Sequence, residues 1–133
     1  MKKSTLYIDP YSGVSGDMLL GACLALGVPL DVIAGAVDSV IPGEGELSSV
    51  PATRCGLAGV SCKVVVTGGP QRRSLEEMEG QVRGSGLDEA VVSRVLRILG
   101  SLGEAERKAH GNPDGPVHLH ELGGQDTLAD IVG

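Results

Sequence analysis

The chain has 133 residues, 21 of them Gly, a formal net charge of −6, and two aromatic residues, Tyr7 and Tyr11. That length makes one ordinary domain, expected to span 1–133, with a core that Leu, Val, Ile and Ala must build; 41% hydrophobic against 21% charged content is a globular composition. The acidic balance and the lack of Trp and Phe exclude a nucleic-acid reader built on a cationic face or on aromatic stacking platforms.

Residues 4–9 read as a strand, Leu6 and Ile8 on one face and Tyr7 and Asp9 on the other, ended by Pro10. A Gly-rich turn leads into a stretch from Asp17 to Leu26 that is apolar all round, the pattern of a buried helix, stopped by Gly27 and Pro29. Asp31 opens a second helix with Val32, Ile33, Ala36, Val37 and Val40 on one face, closed by Pro42-Gly43. Residues 46–55 form a weak strand that Pro51 marks as an edge, and Val60, Cys62, Val64 and Val66 alternate cleanly as its partner, with the turn at Gly56 to Gly59.

Ser74 and Glu77 make a capping box ahead of a short helix with Leu75, Met78 and Val82 as its buried stripe, ended by Gly86. Asp88 caps a longer helix that reaches about His110, with Val91, Val95, Leu99 and Leu102 inward and Gly100 and Gly103 as places where it could bend or divide. Val117 to Leu122 reads as the last strand, and a helix starts at Asp126 or Thr127. With no stop signal beyond it, that helix is expected to belong to a longer protein. Merging consecutive helices gives the order β-α-β-β-α-β, an α+β fold with a ferredoxin-like sheet and additional helices.

Met18 to Leu30, the longest mainly apolar stretch, is about 13 residues, short of the roughly 18 that a membrane span needs. Lys2-Lys3 and Leu20-Gly21-Ala22-Cys23 superficially resemble export signals, but Asp9, Pro10 and Asp17 interrupt the region that would have to be apolar, so the expected location is the cytoplasm. Cys23, Cys55 and Cys62 lack the two-residue spacing of a zinc or redox motif and are expected as buried free thiols. Cys55 facing Cys62 across a hairpin around a soft metal is the alternative.

Chemistry concentrates in two blocks. Asp9-Pro10-Tyr11-Ser12-Gly13-Val14-Ser15-Gly16-Asp17 hands a strand to a helix through two Ser-Gly pairs, where close backbone approach and helix N-terminal amides suit an anion. Asp17 at that helix start favours the dipole but repels a phosphate unless a cation intervenes, and a tight capped turn explains the same residues. His118-Leu119-His120-Glu121, followed by Asp126 and Asp130, is sharper. On a strand the two imidazoles share a side, and the two Asp, four apart, share a helix face, an N/O donor set suited to zinc, nickel or manganese. Ordinary surface His and helix-capping Asp are the equal alternative. Glu106 and His110 could add a ligand or form a simple i, i+4 pair, and Gln71-Arg72-Arg73 reads as a solvated loop.

Taken together, these blocks resemble the LarC family of nickel insertion proteins. The opening motif Asp9 to Met18, the helix end Ala105-Glu106 through His110-Gly111, and His118 to Gly123 with Asp126, Asp130, Ile131 and Gly133 match the family's blocks in order across nearly the whole chain. Leu119 stands where the family has Phe, and Gln71-Arg72-Arg73 stands where many relatives end a His-rich stretch. The resemblance implies CTP-dependent insertion of Ni²⁺ into pyridinium-3,5-bisthiocarboxylic acid mononucleotide, which yields the nickel-pincer cofactor of lactate racemase. This chain would be the N-terminal domain, inactive without a C-terminal half that binds CTP with Mg²⁺ or Mn²⁺.

On that basis His118, His120 and Asp126 are the expected metal residues. Asp9, Asp17 and Glu121 are the expected catalytic groups, and Ser12, Gly13, Ser15 and Gly16 would meet the mononucleotide. The partners implied are that precursor, the C-terminal half and the lactate racemase system downstream; the oligomeric state stays open, a homo-oligomer included. A non-catalytic nickel carrier or assembly module is the alternative from another class, and a divalent-metal hydrolase ranks behind it.

Overall fold

The computed structural model describes residues 5–67, 73–111, 117, 119 and 123–133. In chain order these form α1 (Gly16–Ala25), α2 (Leu30–Val40), β1 (Gly45–Arg54), β2 (Leu57–Val66), α3 (Leu75–Gly84), α4 (Glu89–Ala109) and α5 (Gln125–Val132). The α+β class is met.

The ferredoxin-like sheet is a different matter, because among the described residues the sheet has two strands, β1 and β2. Residues 5–9 of the strand expected over 4–9 form no strand with any described residue, and Leu6, Tyr7 and Ile8 are exposed. Alternation supplies the strand pattern there, but among the described residues no edge pairs with it. Of the expected last strand, Val117 and Leu119 are buried without strand pairing, and residues 118 and 120–122 lie outside the described residues.

β1 and β2 pair antiparallel from Gly45 opposite Val66 to Arg54 opposite Leu57. The turn is tighter than expected: Cys55 and Gly56 alone make it, at φ 50° and 79°, the left-handed pair that lets a two-residue turn follow the strand twist. Leu57 to Gly59 therefore belong to β2. Pro51 lies opposite Val60 and is tolerated because every strand of a two-stranded ribbon is an edge.

The main core joins α2, α3, α4 and α5. Val37, Met78, Val82, Leu99 and Leu128 are fully enclosed, with Leu119 among them, and each such side chain contributes about 1.5–3 kcal/mol through its removal from water. The predicted capping box is present, Glu77 N–H donating to Ser74 Oγ at 3.2 Å and Ser74 N–H to Glu77 Oε2 at 2.7 Å. Asp88 caps α4 by accepting from Ala90 N–H at 2.8 Å. Gly100 and Gly103 do not divide α4, which runs unbroken through both. Gly103 instead lets α3 close in, since a Cβ there would come 2.5 Å from Leu75 Cδ2.

A second, smaller cluster of Leu20, Ile33 and Cys62 seats α1 on the sheet. The fit depends on Gly21, where a Cβ would approach the Val60 carbonyl oxygen to 2.5 Å. α1 was expected to be buried all round. It buries Leu20 and Gly21 along one side, while Met18, Leu19 and Leu26 are exposed, because it packs mainly on β2 and its other flank meets no described element.

Candidate functional site

The turn between Pro10 and the start of α1 is made locally. Gly13 adopts φ 88°, a conformation in which a side chain would be strained, and its N–H donates to the Pro10 carbonyl at 3.0 Å. Ser15 then occupies the N-cap position of α1 with its hydroxyl donating to Asp17 Oδ1, and that same oxygen accepts from Met18 N–H at 3.0 Å. The carboxylate thus lies over the positive end of α1, where the helix dipole stabilises it. Asp9, Ser12, Gly13 and Ser15 are all exposed.

Gly16, the first residue of α1, brings in a second motif. A Cβ at Gly16 would overlap Asp130 Cβ and Cγ and come 2.6 Å from Asp130 Oδ2, so the absence of a side chain is what allows α5 to set Asp130 against the start of α1. Asp126 lies one turn earlier on α5, its carboxyl folded back over Gly124. The opening loop and the Asp-x-x-x-Asp helix, more than a hundred residues apart in the chain, therefore meet.

Electrostatics registers that meeting. Burial raises the Asp130 carboxyl above its usual value, and the charges of Asp17 and then Asp126 push it further in the same direction. Cys62, 4% exposed on the helix-facing side of β2, is raised first by burial and then by Asp17 and Asp130. Its thiol stays neutral while carboxylates gather around it. The four groups make a negatively polarised corner that a cation would relieve. Among the described residues no three His, Cys, Asp or Glu side chains converge closely enough to hold a metal ion.

Of the predicted site residues, Gly16, Asp17 and Asp126 share this corner, Ser15 is tied to it through Asp17, and Asp9, Ser12 and Gly13 stand on the exposed approach. His118, His120 and Glu121 lie outside the described residues. Glu106 and His110 form the i, i+4 pair, Glu106 Oε2 to His110 Nε2 at 3.1 Å. Arg73 pairs with Glu44 at 3.4 Å. Cys55 sits in the hairpin turn while Cys62 is opposite Ser49, so the two thiols do not face each other.

Sequence reasoning missed the part the hairpin plays. A cavity of about 330 Å³ opens between the first turn of α1 and the β1–β2 hairpin, lined by Asp17 and Met18 on one side and by Arg54, Leu57, Val60 and Cys62 among others on the opposite side. The alternation of Val60, Cys62 and Val64 was the available signal for that face; nothing in the sequence pointed α1 toward it.

Among the described residues no helix is long and apolar enough to cross a membrane. No solved structure matches the chain. The protein of Nocardioides sp. named pyridinium-3,5-bisthiocarboxylic acid mononucleotide nickel insertion protein is 37% identical over 130 residues, 98% of this chain and 33% of that protein. Proteins of Syntrophobacter fumaroxidans and Roseiflexus castenholzii that also bear nickel insertion names are 38% and 37% identical, over 97% and 96% of this chain. The chain spans about a third of the length of these curated relatives. The model of the family described as nickel insertion protein matches residues 6–133, and the chain therefore belongs to that family.

Proposed function

We propose that this chain is the nickel-handling domain of a protein that inserts Ni²⁺ into pyridinium-3,5-bisthiocarboxylic acid mononucleotide. The observation that supports the reading most is the contact of Gly16 with Asp130, because it joins the Ser-Gly loop to the helix that directly follows the His-Leu-His-Glu block. In this reading Ni²⁺ arrives as a substrate on His118 and His120 with Asp126, a borderline N/O donor set. Asp17, Asp9 or Glu121 accepts the proton of the ring carbon that bonds to nickel. The C–H electron pair remains on carbon to form the new bond, the two sulfur atoms complete the capture of the metal, and no electron is lost or gained. Ser12, Gly13, Ser15 and Gly16 form the rim that receives the mononucleotide.

CTP dependence, with Mg²⁺ or Mn²⁺, belongs in this scheme to the further length of the relatives, as does completion of the activity, of lyase type. The reaction takes place in the cytoplasm, and the product serves lactate racemase. Calorimetric titration of Ni²⁺ into the wild type and into a His118→Ala, His120→Ala double variant tests the first half of the reading: binding is expected to be lost in the variant. Nickel insertion is then assayed by mass spectrometry of the nucleotide after adding the remaining two thirds of a relative. Insertion restored by the wild-type chain and not by the variant supports the enzyme reading, whereas nickel binding without insertion marks a carrier.

A further inference from the structure

The opening loop supplies hydrogen-bond donors but no cation, and an anionic ligand beside Asp17 needs one. The cavity between α1 and the hairpin contains it. Among its lining residues two are charged, Asp17 and Arg54, one from each wall. Arg54 is the last residue of β1, opposite Leu57 across the two-residue turn. It is exposed, and among the described residues it makes no ion pair or hydrogen bond. A guanidinium left without a partner at the mouth of a cavity keeps its full donor fork for a phosphate or carboxylate.

The walls between the two charges are mostly apolar. Met18, Leu57 and Val60 line them with Ala and Gly neighbours and Ser61, and Cys62 lies on the β2 wall as a thiol held neutral by burial and by the nearby carboxylates. In a chain this poor in aromatic residues, a flat ring has to be held by aliphatic and thioether surface, and a Met sulfur is a favourable neighbour for a ring. The volume of about 330 Å³ falls at the lower end of the range for small-molecule sites. One anion-binding end, one carboxylate end and a mostly apolar slot between them suit a nucleotide with a flat ring: its phosphate at the guanidinium, its ring along the aliphatic walls.

We infer that this cavity binds the pyridinium mononucleotide, with Arg54 on its phosphate, Asp17 facing the positively charged ring nitrogen, and Met18, Leu57 and Val60 against the ring faces. The assignment rests on the nickel insertion reading for the identity of the ligand. It makes the hairpin a specificity element for the mononucleotide, and it directs the ring toward the corner where Asp17, Asp130 and Asp126 gather.

The test is calorimetric titration of pyridinium-3,5-bisthiocarboxylic acid mononucleotide, and of the same compound with its phosphate removed, into the full chain. Arg54→Ala is expected to weaken mononucleotide binding on the order of tenfold, and Arg54→Lys to recover part of the loss. Arg94→Ala, a cation on α4 outside this cavity, should leave binding unchanged, and the dephosphorylated compound should be indifferent to Arg54. Circular dichroism confirms that each variant is folded. Equal binding by Arg54→Ala and wild type, or no binding of the mononucleotide by wild type, overturns the inference. Ni²⁺ titration of the same samples separates the two readings: Arg54→Ala should bind nickel as wild type does. A wild type that binds the mononucleotide through Arg54 but takes no Ni²⁺ leaves the cavity standing and removes the nickel reading.

Discussion

The Asp130 carboxyl rests on Gly16, so close that a methyl group at Gly16 would come 2.6 Å from Oδ2 and overlap the carbons behind it. The atoms in the way include the base of the side chain, so rotation of the carboxyl does not relieve the clash. Gly16→Ala should therefore destabilise the fold by about 1–3 kcal/mol from overpacking, less up to ~1 kcal/mol that Ala gains in a helix. Gly35, inside α2 with open space around it, is the control: Gly35→Ala should stabilise by roughly 0.5–1 kcal/mol. Urea unfolding of the two variants should give midpoint shifts of opposite sign.

Asp130 also predicts a pH dependence. Its carboxyl is raised in the folded protein by burial, then by Asp17 and Asp126, so the native state holds this proton more tightly than the unfolded chain does. The favourable contribution is complete below the ordinary Asp pKa and is lost as pH rises through the raised folded value. At neutral pH the ionised carboxylate therefore works against folding. Asp130→Asn should be more stable than wild type at pH 7, with the advantage shrinking as pH falls through that window. Denaturant midpoints at pH 4 and pH 7 read this directly, and a variant less stable at pH 7 would contradict it.

The cysteines should differ in reactivity. Cys62 is 4% exposed with its thiol raised by burial and by Asp17 and Asp130, while Cys55 is exposed in the hairpin turn. Since the thiolate is the reactive form, iodoacetamide at pH 8 should modify Cys55 at least about tenfold faster than Cys62. Asp17→Asn should speed Cys62 by removing one of the charges that hold its proton. Peptide mass spectrometry over time separates the sites.

Core and cap residues offer a scale for these effects. Leu128→Ala, fully buried at the junction of α5 with the main core, should cost about 2–5 kcal/mol. Leu26→Ala, at 67% exposure on the open flank of α1, should fall within about 0.5 kcal/mol of wild type. Ser74→Ala, which removes one half of the capping box, should lie between them at about 0.5–2 kcal/mol. Thermal unfolding of the three variants gives the ranking.

Helices were the most legible part of this sequence, for physical reasons that differ from one to the next. α3 and α4 announced themselves through local chemistry, the Ser74–Glu77 box and the Asp88 cap, which operate without tertiary partners. The stripes of α2 and α4 followed from a period that only one buried face produces. Residues 5–9 show the limit: alternation of Leu6 and Ile8 with Tyr7 and Asp9 describes a strand's side chains, but pairing is decided by whether another edge lies alongside. α1 failed in a similar way, its all-round apolarity read as burial where packing on β2 covers one side. The site was half legible. The two motifs were visible as chemistry, whereas their meeting through Gly16 and Asp130, and the placing of Arg54 and Asp17 around one cavity, depend on contacts between distant segments that no local pattern encodes.

α5 packs against α2, α1, β2 and α4, and it is also the helix that bears Asp126 and Asp130. Held from several sides, α5 has little room to shift or turn alone, so the place of Asp130 against Gly16 is set by the core beneath the helix and not by the loop above it. A change in that core would reach the opening loop without touching it.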